Sequence, residues 1–388
     1  MENVVDTFSQ ICRYNEDLRI EEVRNVLILY EEQEFFIGDT CLKFDQLKIC
    51  RQFFANASIS INCLNSKYLE LYKNLLKNNP HVDHLYNLTW EEIDFSEIDV
   101  VLCATYDEVA FMHFLQEKYG PLISGGLLDL AVFSITAYIL RVTDDLRTAF
   151  PVNKKMVEYA ASVMVNRPYE IYLSQEERTW GNQWLSGKGL DKDERLVVVV
   201  DTASKKEKLL RTDVYFDVLV YLLSLHKTKV LVFDEGSVGK AEFYQEWLTK
   251  EQFSKMIFST GLGLRKDLCI LSADRTSLIL GPCTGLLHCA SGMYNYFSRT
   301  SAVAEKIPLM ITYTGVYQGD NETADQWWGK SPLIQCLVLK DRNGHKDAVL
   351  LGDLSEEERK YTGDLLPCRE YSSEMLIDFI RSRFAPQP

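Results

Sequence analysis

Short apolar runs recur along the chain, each followed by a turn and then by a segment whose apolar positions fall at helical spacing. The first, Asn25-Val26-Leu27-Ile28-Leu29-Tyr30, has the unbroken apolar character of a central parallel strand, which is buried on both faces. An acidic turn and a helix-like stretch from about 40 to 54 follow it. Ser58-Ile59-Ser60-Ile61-Asn62-Cys63-Leu64 predicts a second strand, with a helix near 68–77 behind it. Further strands are predicted after Asn79-Pro80, toward Leu85-Tyr86, and at Asp99-Val100-Val101-Leu102-Cys103-Ala104. Strands and helices alternating at these lengths imply a parallel sheet covered on both faces.

A second series begins with a charged helix at about 174–184. It passes through Ser186-Gly187-Lys188-Gly189 to Leu196-Val197-Val198-Val199-Val200, the most strand-like run in the chain. Strands are predicted again at 229–233, 277–280 and 308–313. The pattern therefore predicts an α/β protein of two similar domains, 1–165 and 166–370, with a further helix in 371–388 whose apolar positions are Met375, Leu376, Phe379 and Ile380. The longest apolar run, residues 125–140, is interrupted by Asp129 and is short for a bilayer span, so it predicts a buried helix.

Composition narrows the function classes. With 388 residues, 46% hydrophobic and 25% charged, the chain can bury the cores of two domains. A formal net charge of −14 and the lack of any basic stripe argue against nucleic acid and against adhesion to an anionic membrane surface. The ten cysteines form no C-x-x-C pair and no metal-like spacing with histidine, which suits free thiols in a reducing compartment. Met1-Glu2-Asn3-Val4-Val5-Asp6 has neither a basic nor an apolar leader region. The expectation is a cytoplasmic protein with no transmembrane segment and at most peripheral contact with the inner membrane face.

Three segments carry candidate chemistry. Leu278-Ile279-Leu280 runs into Gly281-Pro282-Cys283-Thr284-Gly285 and then a helix start, Leu286-Leu287-His288-Cys289-Ala290. A turn of small residues before a helix lets an anion approach unpaired backbone N–H groups, so this is a place to hold a leaving diphosphate; strand-glycine-helix turns without a ligand are the alternative. Asp201-Thr202-Ala203-Ser204-Lys205-Lys206-Glu207-Lys208 follows the strongest strand, and its hydroxyls and lysines either bind phosphate oxygens or form a solvated basic loop. Asp39, in Gly38-Asp39-Thr40 after the first strand, reads as a general base on an acceptor hydroxyl or as a cap of the next helix. Asp191-Lys192-Asp193 has D-x-D spacing but precedes its strand and reads as a solvated turn. Gly261-Leu262-Gly263 and the pair His81 and His84 are weak dinucleotide and metal signals, and read as turn residues.

In order along the chain, these pieces resemble glycosyltransferase family 9, the lipopolysaccharide heptosyltransferase family. The first strand with Gly38-Asp39 resembles the family's strand and G-D turn, and Asn79-Pro80-His81-Val82-Asp83 its N-P-x-V-D element. Arg167-Pro168-Tyr169-Glu170 with Ser174-Gln175-Glu176-Glu177 is similar to its interdomain passage, and Cys283-Thr284-Gly285-Leu286-Leu287-His288-Cys289-Ala290 to its D-T-G-x-x-H-x-A signature.

The resemblance implies a GT-B fold: two Rossmann-like domains with parallel sheets facing a central cleft, the acceptor on the first domain and a nucleotide-sugar donor on the second. It implies an inverting glycosyltransferase with no cofactor or metal, the nucleotide diphosphate sugar being a co-substrate and a cell-surface glycan or glycolipid the acceptor. Asp39 is then the catalytic base, and Thr202, Ser204, Lys205, Lys208, Thr284, Gly285 and His288 bind the donor. The C-terminal helix is expected to pack back on the first domain. The family's aspartate before Thr-Gly is Cys283 here, which leaves the donor sugar open. A nucleotide-sugar epimerase on the same architecture and a non-catalytic sugar-nucleotide binding protein are the alternatives.

Overall fold

The structure is a computed structural model that describes residues 2–31, 35–105, 107–135, 148–163, 168–299, 307–316, 324–328 and 331–384. The chain divides into two compact units, Met1–Tyr169 and Glu170–Pro388. The division falls four residues after the 165/166 boundary expected from the sequence. Arg167 of the interdomain motif, and residues 136–140 of the long apolar run, lie outside the described residues.

In the first unit α1 (Glu2–Asp17) precedes β1 (Asn25–Tyr30), α2 (Ile37–Lys43), α3 (Asp45–Phe53) and β2 (Ser58–Cys63). Then come α4 (Leu69–Leu76), β3 (His84–Tyr86), β4 (Val100–Ala104), α5 (Glu108–Ser124), β5 (Ala131–Ser134) and α6 (Lys154–Val163). The five strands form one parallel sheet in the order β3-β2-β1-β4-β5. Every residue of β4 is buried, as the unbroken apolar run requires of a strand covered on both faces. Leu27, Leu29, Val101 and Cys103 enter a core closed by Phe111, Leu115 and Ile123 of α5 and by Ile11 of α1.

Two sequence expectations change here. The helix predicted over 40–54 is two helices broken at Phe44. The buried helix predicted over 125–140 is instead the edge strand β5 within the described residues, with α5 closed by Gly125 and by Gly126 at φ +68°. Ala131-Val132-Phe133 is too short and too β-favouring to continue a helix past two glycines, and it pairs with β4.

The N-P-x-V-D element is a turn that pins β3 to β2. Asn79 Oδ1 accepts the His81 N–H at 2.9 Å, and Asp83 accepts both the Ile59 N–H at 2.8 Å and the Arg51 guanidinium. Burial pushes the Asp83 carboxyl up, but those two donors outweigh it and hold it below its ordinary value.

The second unit contains α7 (Gln175–Gly187), β6 (Arg195–Val199), α8 (Thr212–Ser224), β7 (Thr228–Asp234), α9 (Lys240–Trp247), α10 (Lys250–Ser254) and β8 (Met256–Thr260). It continues with α11 (Leu264–Leu271), β9 (Thr276–Pro282), α12 (Gly285–Phe297), β10 (Leu309–Thr314), α13 (Ala324–Trp328), β11 (Ile334–Arg342), β12 (His345–Leu350), α14 (Glu356–Lys360) and α15 (Ser373–Arg383). Its seven-stranded sheet runs β12-β11-β10-β9-β6-β7-β8, parallel except for the terminal β11–β12 hairpin. Asn343 and Gly344, both at positive φ, make the turn of that hairpin.

The Ser174 to Glu177 passage is a capping box on α7. Glu177 also takes Arg265 of α11 in a bidentate pair at 2.9 and 2.7 Å, while Arg265 reaches the Tyr172 carbonyl at 2.7 Å. Helix α15 packs on α8, and Leu376, Ile380 and Phe384 are buried in the core of the second unit with Val218 and Leu222. No helix among the described residues is long and apolar enough to cross a membrane.

Candidate functional site

In open parallel sheets, ligands bind beyond the carboxyl ends of the strands, where successive connections leave a strand in opposite directions. The first unit reverses between β1 and β4, and the second between β6 and β9. Both places carry sequence-predicted residues.

After β1, Phe36 is the N-cap residue of α2 but gives no side-chain cap bond. Asp39 is the third helical residue, half-buried in the first turn. It is thus not the cap residue, although its charge suits the positive end of the helix. One turn further along the same face, Lys43 is 6% exposed, with its ammonium 5.9 Å from the centre of the Tyr30 ring at the end of β1.

After β6 and β9 the second unit brings two predicted segments to one sheet edge. The strands are hydrogen-bonded neighbours, with Val199 opposite Leu280 and the Val200 N–H donating to the Leu280 carbonyl at 2.8 Å. Gly281 is required by this closeness, because a Cβ there would stand 2.8 Å from Val200 Cβ and 2.9 Å from its carbonyl oxygen. Thr284 has the extended backbone of an N-cap residue, its side chain makes no cap bond, and α12 starts at Gly285. The turn therefore ends in a helix N-terminus, as the sequence pattern predicts.

From the other strand, Thr202 is half-buried and Ser204 and Lys205 are exposed. A 3-10 turn, Lys206–Lys208, then packs against a second one, Cys368–Glu370. Cys368 opens the second of these turns and is buried. Burial pushes its thiol up to about 12, with Cys283 adding to the rise and Lys208 opposing it. His288 takes a different position: it is 2% exposed, and its ring lies flat on Trp328 with centroids 3.9 Å apart and planes 8° from parallel. It backs the turn and does not present its imidazole at the surface.

The sequence reading missed what lies beneath the loop. Asp201 accepts Lys240 Nζ at 2.5 Å and the Tyr244 hydroxyl at 2.7 Å; Lys240 also donates to the Phe233 carbonyl at 2.5 Å, and the Tyr215 and Tyr244 hydroxyls bond to each other. This half-buried ion pair fixes the residue from which the Thr202–Lys208 segment departs. Nearby, burial lifts the Glu235 carboxyl, with Lys240 opposing the rise and Asp201 adding to it. Burial raises Asp267 to about 6 against a 2.8 Å bond from Ser259, and Glu235 adds to the rise. The only local signal for the network was Asp201 itself, at a strand end; Lys240 and Tyr244 lie some forty residues on, and no sequence spacing points to them.

The remaining candidates are structural. Asp193 pairs with Lys227 at 2.6 Å, in the turn before β6 and at the opposite edge from the site. Among the described residues no group of three or more His, Cys, Asp or Glu side chains is arranged to hold a metal ion.

No family model matches the sequence, and no curated protein matches it. Solved structures do. The ADP-heptose LPS heptosyltransferase II of E. coli aligns over 92% of this chain and 98% of its own, at 13% identity and a TM-score of 0.55. A glycosyl transferase of family 9 from Veillonella parvula aligns over 76% of this chain and 82% of its own, at 14% identity and a TM-score of 0.52. The chain has the two-sheet α/β architecture of the GT-B heptosyltransferase fold.

Proposed function

We propose that this protein is an inverting glycosyltransferase that moves a sugar from a nucleoside diphosphate to a hydroxyl of a cell-surface glycan or glycolipid, in the cytoplasm or at the inner membrane face. One observation carries the reading: the hydroxyl- and lysine-bearing segment after β6 and the helix N-terminus after β9 leave adjacent strands at the topological switch of the second sheet. Backbone N–H groups and cationic side chains converging there suit a diphosphate.

In this reading Asp39 removes the proton of the acceptor hydroxyl as its oxygen bonds to the anomeric carbon. The bond from that carbon to the diphosphate breaks on the opposite face, so the configuration inverts. The leaving charge is received by the N-terminus of α12 at Thr284 and Gly285, and by Lys205 and Lys208 with the hydroxyls of Thr202 and Ser204. No resident metal takes part, as the family resemblance implies.

The test is product analysis with nucleotide sugar alone, with nucleotide sugar plus a hydroxyl acceptor, and with neither. Transfer gives nucleoside diphosphate and a glycosylated acceptor of inverted configuration only when both are present. Conversion of the donor without acceptor would make the protein an epimerase, and binding without turnover would make it a sugar-nucleotide binding protein. A thermal-shift panel of nucleoside diphosphates identifies the base: a ligand at 100 times its dissociation constant stabilises by about 2.7 kcal/mol.

A further inference from the structure

We propose that the second unit docks a basic amphipathic helix of a partner protein in an exposed groove that has α8 as its floor and α9 and α15 as its walls. The groove measures about 440 Å3; its apolar surface comes from Phe216, Val220 and Tyr221 of α8, Trp247 of α9 and Ile377 of α15. Trp247 is 59% exposed, and its ring stacks on Phe216 with centroids 5.1 Å apart. Phe243, 45% exposed one turn earlier on α9, extends the same aromatic surface. Single exposed apolar side chains are ordinary, but a contiguous patch with a polar rim marks an interaction surface, and tryptophan and tyrosine carry much of the energy of such surfaces.

Charge selects the partner. Asp217 lines the groove, Glu374 lies one turn before Ile377 on α15, and Glu246 lies one turn after Phe243 on α9. All three carboxylates are exposed, and none has an ion-pair partner among the described residues. The cations nearby are mostly taken. Arg381, one turn beyond Ile377, is held by Asp378 at 2.7 Å and lies over the Tyr221 ring, and Arg211 is held by Asp213 at 3.0 Å. Lys250, the first residue of α10, is one unpaired cation against the three carboxylates. The rim is therefore acidic and calls for a basic partner.

The wall decides between occupants. Beside its apolar members the groove offers only Asp217, Ser373 and the Tyr221 hydroxyl. A sugar would need several directional partners for its hydroxyls, whereas a helix satisfies its own backbone and asks for apolar cover with charge beside it. Apolar anchors at i, i+3, i+4 and i+7 fill such a groove, and lysines or arginines flanking them meet the carboxylates. A second copy of this chain, at a net charge of −14, would bring the same carboxylates against each other through this face, and an anionic bilayer would be repelled. None of these residues belongs to the donor turn, so the docking face stands apart from the proposed transfer.

The test is fluorescence anisotropy of the full chain with a labelled synthetic helix of leucine and lysine, its leucines at i, i+3, i+4 and i+7, and with the same helix carrying glutamate in place of lysine. The lysine helix is expected to bind, and the glutamate helix to bind at least about tenfold more weakly. Trp247→Ala and Asp217→Lys, both at exposed positions, are each expected to keep a cooperative melt and to weaken the lysine helix by about fivefold or more. Leu127→Ala, which trims an exposed leucine of the first unit, leaves its affinity unchanged. The proposal is overturned if the lysine helix does not bind, if it binds no better than the glutamate helix, or if both folded groove variants bind it as tightly as the parent chain. A dimer in sedimentation that Trp247→Ala dissolves would overturn it in favour of a second copy. Binding of phosphatidylglycerol vesicles that Trp247→Ala abolishes would overturn it in favour of a membrane.

Discussion

Asp267 illustrates how far a single side chain can bear on this fold. Its carboxyl is raised from 3.8 to about 6 chiefly by burial, so the folded state holds its proton across a range where the unfolded chain has released it. The native state then binds more protons than the unfolded state, and stability falls as pH rises from about 4 to 6 and stays lower above. Asp267→Asn keeps an oxygen for the Ser259 hydroxyl and removes the charge. It is expected to stabilise the protein by about 1 to 3 kcal/mol at pH 7.5, with the gain shrinking toward pH 4; urea melts at the two values decide it. Asp39 is the opposite case, a residue whose loss should leave stability alone. Asp39→Asn is expected to keep the fold and donor affinity while transfer falls by about 100-fold to 10,000-fold. Near wild-type turnover at saturating donor and acceptor would return Asp39 to a dipole-balancing role in α2. Both Asp39 and the Thr284 turn were legible because a strand end followed by Gly, Thr or Asp is a local pattern. The Asp201 network and the His288 and Trp328 stack were not, since each joins residues that only the tertiary fold brings together.

At the scale of elements, legibility followed how much of the hydrophobic pattern was unambiguous. β6 and β1, buried on both faces, announced themselves as continuous apolar runs. Residues 125–140 offered an apolar run that suits helix or strand, and the pair Gly125-Gly126 decided for a strand. β8, at the edge of its sheet, carries the short Met256-Ile257-Phe258 signal, and it went unread. Contacts between helices were wholly invisible. Gly181 of α7 lies against α11 so closely that a Cβ would collide with the Cys269 carbonyl. Because backbone and not a flexible side chain is in the way, Gly181→Ala is expected to destabilise by about 2 kcal/mol or more, read from the denaturant midpoint. At α12 the consequence is functional: Gly285→Val should weaken nucleoside diphosphate binding by at least about tenfold in a folded protein, because a branched side chain at the first helical residue screens the terminal N–H groups. Unchanged affinity by calorimetry would place the diphosphate elsewhere.

For the molecule as a whole, the two units each own a core, one built around α5 and β4 and the other around α8, β6 and β9. Every residue proposed to bind the donor belongs to the second, and α15 completes that unit's own core. Residues 170–388 expressed alone are therefore expected to fold cooperatively and to bind the nucleoside diphosphate preferred by the full chain within about threefold of its affinity, without catalysing transfer. A fragment that melts without a cooperative transition would show that the second unit borrows stability from the first. The chain enters this unit along α12: the Ile171 N–H donates to the Gly292 carbonyl at 3.1 Å, Tyr172 packs on Tyr296 at 4.8 Å, and Glu170 pairs with Arg299 at 2.7 Å. Helix α12 is thus a rod of roughly 20 Å, with the polypeptide tied to one half and the Thr284 turn at the other tip. Tension on the connecting chain is borne by this rod before it reaches any strand of the second sheet. A force probe pulling on the chain at Glu170 would then load the Thr284 turn through this helix, and a diphosphate held there, as proposed, would be felt as a stiffer handle.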